Sequence, residues 1–154
     1  MNAARIILPL GAFAGSGLIA AGLQKPLMDV PVVGTLMFSE HAPGGASTAW
    51  VLVALLVVGA VLLAAKNISW ARKGGLVSVL GTGAVIGLLV SIYRSNMAQV
   101  MEIADLGNGE IDEGVKKLLE QMKYGAGAYM CAAGIVLQVC VSLLSMFRSI
   151  PLVK

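Results

Sequence analysis

Residues 104–114, ADLGNGEIDEG, hold four of the eight carboxylates in the chain, Asp105, Glu110, Asp112 and Glu113. Oxygen ligands packed this closely are what a calcium loop needs. Such a loop places ligands at positions 1, 3, 5, 7, 9 and 12 around a glycine at 6. With Gly109 as that glycine, Asn108 falls at position 5 and Asp112 at position 9. Position 1 is then Ala104, position 3 is Leu106, and position 12 is Val115 where a bidentate glutamate belongs. The stretch reads instead as a turn followed by a helix start, with Glu110, Asp112 and Glu113 at the helix N-terminus, where the dipole favours them. No metal is expected there.

Other chemistry is sparse. His41 is the sole histidine, which argues against paired-histidine haem, quinol or zinc sites. Met28, Met37 and His41, with Met97 or Met101, have the softness for copper(I), but methionine equally fills irregular apolar packing. Cys131 and Cys140 are two and a half helical turns apart, face opposite ways and cannot bridge each other. No nucleophilic triad, phosphate loop or carboxylate pair is evident, and no cofactor is expected.

The elements that would position any site are apolar. The 154 residues are 58% hydrophobic and only 12% charged, about half the charge fraction of a soluble domain. Four charge-free stretches account for this, at 6–23, 49–65, 76–93 and 126–147. Each approaches the ~20 residues that cross a bilayer core, and none has a polar face. The expected fold is an all-α, four-helix transmembrane bundle forming a single domain over residues 1–154. Arg5, the apolar run after it and Ala20-Ala21-Gly22 also fit a signal peptide, but the Gly11, Gly15, Gly22 stripe suits a retained span.

Arg5, Lys66, Arg72, Lys73, Arg148 and Lys154 flank one side of these spans, and all eight acids fall on the other with five basic residues. The six-to-five split gives a weak positive-inside bias, reinforced by the basic connection KNISWARKGG. It places both termini in the cytoplasm of a plasma or bacterial inner membrane. A net charge of +3 gives no reason to expect nucleic acid as a partner. With no ionisable group inside any span, ion-coupled transport is disfavoured, though a passive pore is not.

Between spans, QKPLMDVPVVGTLMFSEHAPGGAST has the prolines and glycines of an irregular loop, its apolar middle lying at the interface or covering helix ends. The third connection differs. Met97, Val100, Met101 and Ala104 recur at helical spacing, and so do Ile111, Val115, Leu118, Leu119 and Met122. Helices three and four are therefore expected to extend into a projecting helical hairpin over about 94–125, zipped through these stripes, with Gly107 as a cap. Glu110, Glu113 and Lys117 on its polar face are candidate docking residues.

Small residues mark candidate helix contacts: Gly11, Gly15 and Gly22, then Gly83 and Gly87, then Gly127 and Gly134 with Gln138 on the same face. The second span, rich in Val and Leu, is expected to face lipid most. The four-span layout and the YGAGAYM start of the fourth span resemble claudin-type tetraspan proteins, although loop one lacks their paired cysteines and tryptophan signature. The GLIAAGLQK end of the first span resembles small DoxX-type membrane proteins. The expected function is that of a small non-enzymatic scaffold or accessory subunit, its partners the bilayer and other membrane subunits or further copies of itself. The alternatives are a pore-forming, holin-like or transport component, and a membrane enzyme or redox subunit.

Overall fold

The computed structural model describes residues 4–30, 34–65, 68–105, 117 and 120–147. Four helices are long and apolar enough to cross a membrane: α1 (Ala4–Leu23), α3 (Ala46–Leu63), α4 (Ile68–Asp105) and α5 (Ala126–Phe147). A short helix, α2 (Phe38–His41), precedes α3, with Gly44 and Gly45 turning the chain at φ +82° and +60°. These are left-handed values that a side chain would resist.

The first, second and fourth spans match the charge-free stretches. The third is a correction. KNISWARKGG was expected to be a loop, yet α4 already starts at Ile68 and runs 38 residues. Trp70, Ala71, Arg72 and Lys73 are compatible with helix, and Gly74-Gly75 is held by close neighbours. A Cβ on Gly74 would lie 2.6 Å from Leu63 N, and one on Gly75 would lie 2.6 Å from Ser145 Oγ. Lys73 Nζ sits 4.8 Å above the Trp70 ring, a contact suited to a membrane–water boundary.

The all-α expectation also needs amending. Loop one forms an antiparallel hairpin of β1 (Met28–Val30) and β2 (Gly34–Leu36), and β3 (Lys123–Tyr124) adds to the other side of β1. Alternation decides what this sheet buries. Met28 and Val30 face inward, while Asp29 points out and accepts a 2.8 Å bond from Thr35 Oγ1. Met28, Val30 and Leu36 pack on Val100 of α4, with Met122 beside them. Loop one thus covers the helix end, as one of its two expected placements had it.

The continuous second arm of the hairpin is not observed. Lys117 and residues 120–121 are helical, but the chain then enters β3 before α5 begins. Tyr124 is β-prone, and Lys123 and Tyr124 take their pairing from β1 in place of a continued helix. Gly125 N–H donates to Leu27 O at 3.0 Å and Gly127 N–H to Pro26 O at 2.9 Å, tying the end of α1 to the start of α5. Met101, expected in the zipped stripe, is exposed, and Val100 finds its neighbours largely in loop one. Most of ADLGNGEIDEG, with Glu110 and Glu113, and also Val115, Leu118 and Leu119, lies outside the described residues.

Candidate functional site

The most extensive contact in the bundle is between α1 and α5, and glycines make it possible. A Cβ on Gly22 would fall 2.8 Å from Gly127 O, and one on Gly127 would fall 2.6 Å from Gly22 O. Gly15 and Gly134 face each other in the same reciprocal way, at 3.1 Å and 2.8 Å from the opposite carbonyl. Gly11 would meet Val141 Cγ2 at 2.8 Å. Without side chains here the backbones approach closely, and packing of this kind drives association in lipid. Of the seven glycines expected at helix contacts, five, Gly11, Gly15, Gly22, Gly127 and Gly134, lie in this one interface.

Gln138 sits in the same interface with no exposed surface. Its Nε2 donates to Ala12 O at 2.8 Å and to Ser16 Oγ at 2.7 Å, while Ser16 Oγ donates to Ala12 O at 2.8 Å. Away from bulk water, these bonds satisfy the amide NH2 group. Ser16 was not singled out in the sequence, although its spacing of one residue from Gly15 places it beside the glycine stripe.

Gly83 and Gly87 are placed differently. Both are exposed, and a Cβ on either meets no atom of this chain within 4 Å. They lie on an outer face of α4 with Val79, Leu80, Ile86 and Val90, all exposed. The glycines that α4 uses within the bundle are others. A Cβ on Gly74 would lie 2.8 Å from Gly59 O of α3, and one on Gly81 would lie 3.0 Å from Leu56 Cδ2. Gly59 and Gly74 were missed because a lone glycine in a Val/Leu run and a Gly-Gly after a basic cluster read as neutral and as loop. Of the four spans, α3 has the smallest buried share, 28% against 44% for α1, in line with its expected lipid contact.

Other candidates are dispersed. His41 is exposed, its Nδ1 3.0 Å from Met37 O, while Met28 is buried under the sheet. Cys131 is buried against α1 and Cys140 is exposed on the opposite side of α5. Lys117 is exposed. An apolar cleft of about 210 Å³ opens between α4 and α5 below the sheet, lined by Leu36, Ile92, Tyr93, Tyr124, Cys131 and Ile135 among others. No family model, curated protein or solved structure matches this chain.

Proposed function

We propose that the protein is a non-enzymatic scaffold or accessory subunit of a membrane complex, with α4 as its docking element. The observation that carries this reading is α4 itself. Its 38 residues measure about 57 Å at 1.5 Å per residue, well beyond a 30 Å hydrocarbon core. One continuous rod therefore offers an open glycine face inside the membrane and exposed polar residues such as Arg94, Gln99 and Glu102 beyond it. A partner helix can approach Gly83 and Gly87 closely, since no side chain stands between the backbones. Outside the membrane, the docking surface continues over the segment between α4 and β3, where Glu110, Glu113 and Lys117 supply charge and the projecting hairpin would stand. A second copy of this chain is an alternative occupant of the α4 face.

The orientation that goes with this reading has both termini in the cytoplasm of a plasma or bacterial inner membrane. An impermeant thiol reagent applied from outside, on a chain lacking Cys131 and Cys140, then labels Gln99→Cys and spares Lys73→Cys. The reverse pattern moves the docking surface to the cytoplasm. The functional reading is tested by purification from native membranes in mild detergent. A stoichiometric larger partner supports it, and charge reversal at Glu110 and Glu113 then lowers the yield of complex. A chain that migrates alone at full recovery contradicts it.

A pore or transport role is the second reading, and one feature favours it: Ser78, Thr82, Gln138 and Ser142 are polar and buried within the bundle. A homo-oligomeric ring that conducts ions in planar bilayers would support this reading over the first.

A further inference from the structure

The interface between α4 and α5 is polar in its lower half, and its register is mirrored. Gly75, Ser78 and Thr82 advance along α4 by three and then four residues. Ser145, Ser142 and Gln138 retreat along α5 by the same steps. The two helices run in opposite directions, and Gly75 anchors them, its added Cβ falling 2.6 Å from Ser145 Oγ and 3.9 Å from Ser142 O. The spacing then sets Ser78 at the level of Ser142 and Thr82 at the level of Gln138. All of these side chains are buried, Ser78 and Gln138 completely.

Helical hydroxyls normally satisfy themselves on a carbonyl one turn back. Thr82 Oγ1 does so with Ser78 O at 2.7 Å, Ser16 Oγ with Ala12 O at 2.8 Å, and Ser145 Oγ bonds Ser142 O at 2.7 Å. Ser78 and Ser142 do not. Ser78 Oγ, Ser142 Oγ and Gln138 Oε1 have no hydrogen-bond partner within the protein. Buried polar atoms are rarely left so, because each forfeits its hydration without compensation. Ser78 Oγ also lies against α3, where a Cβ on Gly59 would collide with it, and three such atoms at adjacent levels of two neighbouring helices point to a shared ligand.

We propose that the α4–α5 seam is a binding site for internal water, bridging Ser78 Oγ, Ser142 Oγ and Gln138 Oε1. Water suits the set because the amide oxygen requires a donor, whereas each hydroxyl can both donate and accept, and a buried water makes about three such bonds. Among the described residues no ionisable side chain is buried with these groups, so a neutral ligand fits. The site ends toward the sheet at Ile19, Leu56 and Val85, which are fully buried and close it with hydrocarbon. The α1–α5 interface is thus joined directly, by glycine contacts and the Gln138 bonds, and the α4–α5 interface through water.

Water-edited solid-state NMR of the protein in lipid bilayers, with labelled glutamine side chains, tests this. The Gln138 amide, assigned by its loss in Gln138→Leu, receives magnetisation from water early despite its burial, and Ser78→Ala/Ser142→Ala slows that transfer. No transfer to Gln138 in the wild-type chain overturns the proposal. Thermal melts give an independent readout. If one water bridges both hydroxyls, Ser78→Ala and Ser142→Ala each lower the melting temperature and the double variant loses no more than either single one. If each substitution raises the melting temperature and the two gains add, the hydroxyls were unsatisfied and the proposal fails.

Discussion

Two glycine pairs in this chain share the spacing G-x-x-x-G and have opposite surroundings. On α1, Gly11 and Gly15 are pressed against α5, and a Cβ on Gly15 would fall 3.1 Å from Gly134 O. On α4, Gly83 and Gly87 face open space. The motif therefore identifies a helix face that permits close approach but not the helix that approaches. On α1 the answer is inside the chain. On α4 it is outside, in lipid or in another protein.

Substitution should separate the two pairs sharply. The largest effect is expected from Gly134→Leu, whose new side chain collides with Ile19 Cγ1 and Gly15 O at 2.7 and 2.8 Å. Both neighbours are held by a second helix, so a cost of about 3 kcal/mol is expected, read as a lower melting temperature in detergent. Gln138→Leu should cost less, about 1 kcal/mol, since it removes one interhelical amide whose replacement remains apolar. Ser16→Ala should cost less again, because Gln138 Nε2 keeps its bond to Ala12 O. If Gln138→Leu proves as damaging as Gly134→Leu, polar bonding and not glycine packing holds α1 to α5.

A similar contrast divides α5 itself. A lipid-soluble maleimide should modify Cys140 and spare Cys131 in the folded protein. Labelling should vanish in Cys140→Ser and persist in Cys131→Ser, by mass spectrometry of the intact chain. Modification of both cysteines at equal rates would mean that α5 does not stay seated on α1.

What could be read from the sequence follows from the range over which each signal acts. The four spans were legible because a charge-free run of about 20 residues has few other uses. Gln138 was legible as a polar residue at mid-membrane, but its partners were not, since Ala12 O is backbone and Ser16 lies 122 positions away. The strands are two or three residues long, too short for alternation to register, and β3 exists only because β1 is beside it. The early start of α4 was hidden by Gly74-Gly75, which signal a loop unless Leu63 and Ser145 are known to press against them. Gly83 and Gly87, expected as helix-packing residues, meet nothing of this chain, and the spacing alone could not tell them from Gly11 and Gly15.

The smallest expected effect on folding carries the most information on function. Gly83→Leu/Gly87→Leu adds two side chains where nothing of this chain lies within 4 Å, so stability should stay within about 0.5 kcal/mol of wild type. The decisive measurement is the native size of the tagged protein extracted from its own membrane, compared between wild type and this double variant. The docking account expects wild type in a larger complex and the folded variant released from it. A variant that folds and remains in a complex of unchanged size and yield would contradict α4 as the docking element.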